Sequence, residues 1–309
     1  MTALHSDQIL EELRELWASL GKAAEQGDSH GVVRACALTL IVFAEETDDV
    51  VSIGETLAEL MHEHPHRAIV VRVRRDAPPL LEHRVLAQCW MPFGRRQQLC
   101  CERIEILAAE ASLPDLAPIL LALRAPDLPV VLWYRSERVF ESPALPATAL
   151  AAHKIVVDAA SAGDPPAMLR RLAEATAAGL PIADLSWTRL TRWREIVAQV
   201  FENPASRALL PRIGEVRVFH PGERIPPEAC YLAAWVLDAL GREIDVGFEA
   251  AAQDGIEFRG TGIQPVHVAG CPRASDSALL REELAILGRD PVYDRALRLA
   301  ARIAGRERG

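Results

Sequence analysis

Lysine is nearly absent from this sequence. Lys22 and Lys154 are the only two, so almost all of the 34 basic residues are arginine. Against 43 acidic residues the formal net charge is −9. This argues against a protein dedicated to binding nucleic acid, because phosphate contacts need a basic face. The preference for arginine reflects either a GC-rich genome or a use of bidentate contacts to carboxylates and phosphates.

Long hydrophobic runs are also missing. The longest, Ala35 to Ala44, is interrupted by Thr39 and is about half of the roughly 20 residues that span a bilayer. The first thirty residues carry several charges and lack the apolar stretch of a signal peptide. We therefore expect a soluble, cytoplasmic protein without membrane association. The six cysteines include no CxxC pair, and in a cytosolic chain they predict buried thiols rather than disulfides, at positions 36, 89, 100, 101, 230 and 271.

No catalytic or cofactor-binding motif is complete in the sequence. Gly260-Thr261-Gly262 is followed by Ile-Gln-Pro, so it forms neither a dinucleotide fingerprint nor a Walker loop, and no GxSxG elbow occurs. The stretch from His62 to His66 matches the zinc-protease pattern HExxH. However, Pro65 disfavours helix at the residue before it, so His62 and His66 cannot share a helix face. We expect no catalytic residues, no metal and no cofactor, and therefore no enzyme activity.

The pattern of apolar residues predicts an α/β fold. An amphipathic helix over 6–26 precedes a strand–helix–strand unit with strands at 38–43 and 68–73. A predicted hairpin, with strands at 84–90 and 99–106, makes the sheet mixed. Helices and strands then alternate up to two closing helices. We predict two lobes with mixed β-sheets flanked by helices, and the parts are an N-terminal helix (1–30), an N-terminal α/β lobe (31–160) and a C-terminal α/β lobe (161–309).

Arginine and tryptophan are concentrated between residues 183 and 195. On the helix predicted after its N-cap Thr191, Trp193 begins an apolar stripe, so we expect Trp193 to be packed in the core. Three arginines lie near this helix N-terminus, where the dipole disfavours cations. An anion or an acidic partner surface would explain them, and neutralisation within the fold by Asp184 and Glu195 explains them equally well. The candidate residues for binding a partner or an anion are Asp184, Trp187, Arg189, Arg192 and Arg194.

The same segment resembles the signature of a known family. DLSWTRLTRWREIVAQVFENP, residues 184–204, is similar to the glucose-6-phosphate dehydrogenase assembly protein (OpcA) family. Further stretches agree in order and spacing, so that the resemblance extends from about residue 30 to 300: RACALTLIVFAEE (34–46), HPHRAIVVRV (64–73), LPVVLWYRSE (128–137), KIVVDAAS (154–161) and EELAILGRDPVYDRAL (282–297).

This resemblance implies a non-catalytic protein that associates with glucose-6-phosphate dehydrogenase, the NADP-linked entry enzyme of the oxidative pentose phosphate pathway. The leading hypothesis is an assembly protein or allosteric activator that binds the active conformation or oligomer of that enzyme more tightly than the inactive one. The alternative is a sugar-phosphate-binding protein or enzyme that uses the arginine cluster. A third possibility is a scaffold without effect on the rate. The chain's own oligomeric state is left open.

Overall fold

The chain forms two units, Met1–Val157 with Leu280–Gly288 and Asp158–Leu279 with Arg289–Gly309. The structure is a computed structural model and describes residues 5–26, 31–92, 97–136, 138, 145–149, 151–262 and 264–306. The division falls after residue 157, and residues 280–288 belong to the first unit. The lobe boundaries given by the sequence stay a prediction.

The first unit is built around a mixed sheet. Its central strands are parallel and almost fully buried, as expected for strands that are covered on both faces. A long antiparallel hairpin closes one side of the sheet. The elements are α1 (Ser6–Gln26), β1 (Val32–Arg34), β2 (Leu38–Glu45), α2 (Val50–Leu60), β3 (His66–Arg74), β4 (Leu81–Trp90), β5 (Gln98–Ala109), α3 (Leu113–Ala122), β6 (Val130–Tyr134), α4 (Leu145–Ala149) and β7 (Lys154–Val157).

Within this unit the sheet follows a doubly wound pattern. The strand β2 pairs in parallel with β3 on one side and with β6 on the other, and β6 pairs with β7. Along one edge β5 pairs in parallel with β1 and β3, and along the other it pairs antiparallel with β4. The buried carboxylate of Glu102 on β5 accepts hydrogen bonds from Arg67 and from Trp17 of α1, so these contacts tie the N-terminal helix to the sheet.

The second unit contains a four-stranded sheet and the remaining helices. The sheet order is β10-β9-β11-β12, in which β10 and β9 are parallel and the other pairs are antiparallel. The helix α9 packs on β9 and against α11, which also packs on α5. The elements are α5 (Pro165–Ala177), β8 (Ile182–Asp184), α6 (Leu185–Thr188), α7 (Thr191–Val200), α8 (Pro204–Arg207), β9 (Ile213–His220), α9 (Pro227–Leu240), β10 (Asp245–Ala250), β11 (Gly255–Gly260), β12 (Val266–Ala269), the first residues of α10 (Asp276–Ala285) and α11 (Pro291–Arg306). From Leu280 onward α10 belongs to the first unit.

The predicted α/β class with mixed sheets and helical ends is confirmed.

The helix α2 ends at Leu60, so His62 and His66 do not lie on one helix, and the described residues contain no group of three side chains that could hold a metal ion. In the described ranges, no helix is both long enough and apolar enough to cross a bilayer. The predicted loop from Ser142 to Pro146 falls partly outside the described residues.

One prediction about the cysteines is wrong. Cys89 and Cys100 occupy directly paired positions of β4 and β5, with their Cα atoms 4.0 Å apart, and they form a disulfide. A search for CxxC spacing cannot detect such a pair, because the two residues become neighbours only when the hairpin forms. The other four cysteines are not disulfide-bonded, and burial raises the pKa of Cys101 to about 11.

Candidate functional site

The candidate site begins at Asp184, the last residue of β8 and the N-cap of α6. Its side chain is completely buried. One carboxylate oxygen accepts hydrogen bonds from the backbone N–H groups of Ala159 (3.0 Å) and Ser186 (2.9 Å), and the other accepts from the hydroxyl of Tyr231 (2.8 Å) on α9. Asp184 therefore joins three separate stretches of the second unit through a single carboxyl group.

Burial makes the charged form of Asp184 unfavourable. Loss of water contacts is the main cause that raises the pKa of Asp184 to about 7, and the nearby negative charge of Asp158 raises it further. The hydrogen bonds from the two backbone N–H groups and from the hydroxyl of Tyr231 lower the pKa of Asp184, but by less than burial raises it. A carboxyl group with this pKa changes its protonation state close to neutral pH.

Arg189, which follows α6, is held between two acidic side chains. Its guanidinium makes a bidentate ion pair with Asp158 (2.7 and 2.6 Å) and lies 3.3 Å from a carboxylate oxygen of Glu228 in the first turn of α9. All three side chains are largely buried, with 14 to 19% of each exposed. Bidentate arginine–carboxylate geometry is among the strongest of polar contacts in proteins.

The two acidic partners of Arg189 differ in their electrostatic environment. Burial raises the pKa of Asp158, but the hydrogen bonds and charge of Arg189 outweigh it, so the pKa of Asp158 lies below its ordinary value. Burial also raises the pKa of Glu228, and there the attraction to Arg189 is insufficient, so the net shift is upward. One carboxylate oxygen of Glu228 is buried without a hydrogen-bond partner, which adds to the cost of its charged form.

Trp187 is also buried, and its indole ring stacks against the guanidinium of Arg194. The guanidinium carbon of Arg194 lies 3.5 Å from the centre of the indole ring, a close cation–π contact. Arg194 also donates to the backbone carbonyl of Trp187 and to the hydroxyl of Thr191. The indole N–H of Trp187 donates to Asp290 at 3.2 Å. These contacts fix the orientation of the turn between α6 and α7.

Arg192 is the one predicted site residue that is mainly exposed. Its side chain is 73% exposed and makes a 3.4 Å ion pair with Glu195, one turn along α7. The three arginines thus have three different sets of partners: Arg189 pairs with acids inside the unit, Arg194 stacks on an indole, and Arg192 faces solvent. Binding of an anion or a partner by these residues stays a prediction.

Two details of the sequence interpretation change. Thr191 is not the N-cap of α7, because Leu190 takes that position and the hydroxyl of Thr191 accepts a hydrogen bond from Arg194 instead. Asp184 does not pair with Arg189, whose partners lie 31 and 39 residues away in the sequence. The predicted packing of Trp193 in the core is confirmed, since it is 5% exposed.

Sequence reasoning missed Asp158, Glu228 and Tyr231. Asp158 had a detectable signal, because it directly follows the apolar strand β7 within the KIVVDAAS stretch, and polar residues after buried strands often serve functional sites. Glu228 and Tyr231 had no detectable signal in the sequence, since they lie on an apolar helix with no polar periodicity.

The carboxyl ends of the parallel strands in the first unit are the usual ligand position in doubly wound sheets. Here the cavity lined by the ends of β2, β3 and β6 has a volume of about 40 Å³, of the order of one water molecule. Phe43 and Tyr134, which both line it, stack on each other with ring centres 4.8 Å apart, and Arg75 forms ion pairs with Glu45 and Glu110. Ligand pockets typically measure about 300–1,000 Å³, so the described residues leave no room for a nucleotide at this place.

Two family models match the chain. One is described as the N-terminal domain of a glucose-6-phosphate dehydrogenase subunit and matches residues 57–174. The other is described as the C-terminal domain of that subunit and matches residues 180–297, which include Asp184, Arg189 and Glu228. Together they account for most of the chain and leave out its first 56 residues.

Similar proteins occur in cyanobacteria. A Nostoc punctiforme protein provisionally named OxPP cycle protein OpcA is 30% identical over 143 residues, which make up 46% of this chain and 30% of that protein. A Synechocystis protein with the same provisional name is 24% identical over 242 residues, or 76% of this chain and 50% of that protein. The chain thus spans half or less of the length of these curated relatives.

Similarity to solved structures is weak. The apo scyllo-inositol dehydrogenase from Lactobacillus casei aligns with 87% of this chain and 95% of its own, at 11% identity and a TM-score of 0.44. That score is too low to support an argument. The two family models and the cyanobacterial relatives agree with each other, and the chain belongs to the glucose-6-phosphate dehydrogenase assembly protein (OpcA) family.

Proposed function

We propose that this chain is a non-catalytic, cytoplasmic assembly protein or activator of glucose-6-phosphate dehydrogenase in the oxidative pentose phosphate pathway. The observation that carries the proposal is the pair of family models, each described as a domain of a glucose-6-phosphate dehydrogenase subunit, at residues 57–174 and 180–297.

The mechanism we infer is a shift of the enzyme's own equilibrium. A binding protein raises activity only if it binds the active conformation or oligomer more tightly than the inactive one. A difference of tenfold in affinity corresponds to about 1.4 kcal/mol of coupling free energy. By thermodynamic reciprocity, any ligand that favours the active form of the dehydrogenase strengthens its binding to this chain.

The geometry does not favour the sugar-phosphate alternative. A phosphate at Arg189 would have to displace Asp158 and Glu228, which already occupy the guanidinium at 2.6 to 3.3 Å. It would also come close to the buried carboxyl group of Asp184, which interacts electrostatically with Arg189. The side chains of Arg192 and Arg194 have other partners and do not form one anion site with Arg189.

Steady-state kinetics test the proposal. The dehydrogenase from the same organism is assayed for NADPH formation with and without equimolar chain, and heat-denatured chain serves as the control. We expect native chain to raise kcat or lower KM, and to co-purify with the enzyme. Turnover by the chain alone, free of contaminating dehydrogenase, would refute the non-catalytic role, and a thermal shift with glucose 6-phosphate alone would favour the sugar-phosphate alternative.

A further inference from the structure

The strand β10 forms an outer edge of the four-stranded sheet in the second unit. It pairs with β9 through six consecutive residues, Asp245 to Ala250. On its other side no strand of the described chain is paired with it. An unpaired strand edge presents backbone N–H and C=O groups that can bind another extended segment.

A groove of about 680 Å³ runs beside this edge and is bounded by α9 and α11. Alternate residues of a strand face the same side of the sheet, and Val246 and Phe248 of β10 both line the groove. Leu299 and Ile303 of α11 line it as well, and all four side chains are only half-buried. An added strand would direct every second side chain toward these four apolar residues.

Exposed arginines follow one side of α11 next to the groove. Arg298, Arg302 and Arg306 are four residues apart and share one helix face, and all three are exposed. Within the described residues no carboxylate pairs with them, whereas Arg295 is paired with Asp238 at 2.9 Å. The helix dipole favours a cation in the last turn, but it supplies no counter-charge for Arg298 or Arg302. In a chain of net charge −9, this basic stripe complements an acidic partner.

A second copy of the chain fits the edge poorly when the two strands pair symmetrically about Gly247. A continuous sheet formed by two antiparallel copies of β10 centred on Gly247 would place Asp245 of one copy opposite Glu249 of the other. Like charges in directly opposed positions destabilise a strand pair. Glu243 and Asp245, which also line the groove, would likewise repel acidic residues placed at the beginning of β10. Acidic residues of a bound segment therefore belong near Arg302 and Arg306.

We propose that the groove between β10 and α11 binds an extended, acidic segment of the partner polypeptide, which adds to β10 as a further strand. Its backbone pairs with the free edge of β10, its alternate apolar side chains contact Phe248 and Ile303, and its carboxylates pair with Arg302 and Arg306. This inference rests on the proposed function, in which the partner is the dehydrogenase.

Binding of the intact dehydrogenase from the same organism to the full chain tests the inference. The variant Arg302→Glu/Arg306→Glu should raise the Kd at least about tenfold, chiefly through slower association, because a reversed charge at the rim repels the acidic segment. Arg302→Glu alone should have a smaller effect in the same direction. Its matched control is Arg170→Glu, an exposed arginine on α5 that does not line the groove and that should leave the Kd within about twofold. Circular dichroism verifies that each variant is folded.

Hydrogen exchange supplies a readout of the backbone. Amides of residues 245–250 should gain protection in the complex. If wild-type chain binds but the double variant binds equally well, or if these amides gain no protection, the docking site is refuted while the proposed function stands. If wild-type chain does not bind the enzyme, both are refuted. Protection that depends on the concentration of the chain alone, together with dimers in light scattering, would identify a second copy as the occupant and overturn the proposal.

Discussion

Replacing Asp184 by asparagine should remove a pH-dependent loss of stability. The pKa of Asp184 is raised from 3.8 to about 7 in the folded protein, mainly by burial. Between these two values the folded state holds a proton on Asp184 that the unfolded chain has released. The free energy of unfolding therefore falls as the pH rises through this interval, and the stabilisation by the protonated carboxyl is lost once the pH exceeds about 7.

The magnitude follows from the shift. Each pKa unit corresponds to about 1.4 kcal/mol, so a shift from 3.8 to about 7 amounts to about 4 kcal/mol over the full interval, of which about 3 kcal/mol falls between pH 5 and pH 8. Asparagine has nearly the same shape and cannot ionise. Its amide oxygen can accept the hydrogen bonds from Ala159 and Ser186, and its NH₂ group can donate to the hydroxyl of Tyr231.

Urea unfolding followed by tryptophan fluorescence at several pH values measures this effect. We expect the free energy of unfolding of Asp184→Asn, minus that of wild type, to rise by about 3 kcal/mol between pH 5 and pH 8. Other titrating groups cancel in this difference, including buried His66, whose pKa is lowered to about 4 and which makes the protein more stable as the pH rises from about 4 to 6.5. Asp245→Asn, at an exposed carboxylate of the same unit, is the matched control and should show no such trend. A stability difference between Asp184→Asn and wild type that stays constant across this range would refute the reasoning.

Three further substitutions, the first of them compared with a control variant, test the contacts of named side chains. Arg189→Ala should lower the free energy of unfolding by about 3–5 kcal/mol, because it leaves buried carboxylates without their cation, whereas Arg192→Ala should change it by less than about 0.5 kcal/mol; urea unfolding at pH 7 compares the two. Trp193→Ala should cost about 3–5 kcal/mol through the cavity it creates, measured in the same way. Lys154 donates to Glu283 and to the backbone carbonyls of Glu283 and Ile286, so Lys154→Met should expose residues 280–288 to faster hydrogen exchange, and unchanged exchange would contradict that role.

Much of the fold could be predicted because it depends on local periodicity. The predicted bounds of the helix over 6–26 are confirmed, since this helix has an apolar stripe bounded by residues that end helices. The hairpin of β4 and β5 is predicted because Pro92 and Gly94 separate two apolar runs in the sequence. The three-residue strands β1 and β8 were missed, because so short a run carries no periodic signal and is fixed by the neighbours with which it pairs.

The candidate site was predicted only in part, for a related reason. Arg189 and Asp184 are predicted as site residues because they lie in a segment rich in arginine and tryptophan. Their partners, however, come from distant stretches of the chain. Whether an arginine meets a ligand or an internal acid depends on tertiary contacts that spacing along the sequence does not reveal. The choice between an external anion and internal neutralisation was therefore open until the positions of Asp158 and Glu228 were known.

The segment that identifies the family most clearly is also among the most buried in the second unit. Residues 182–188 are all buried, and Asp184 and Ser186 are completely inaccessible. Such residues can affect a partner only through the stability and shape of the fold, because they cannot touch it directly. A surface that recognises the proposed dehydrogenase partner must instead consist of exposed side chains whose charges are not already paired within the chain. The stripe of Arg298, Arg302 and Arg306 meets both conditions within the described residues, whereas Arg189 and Trp187 meet neither.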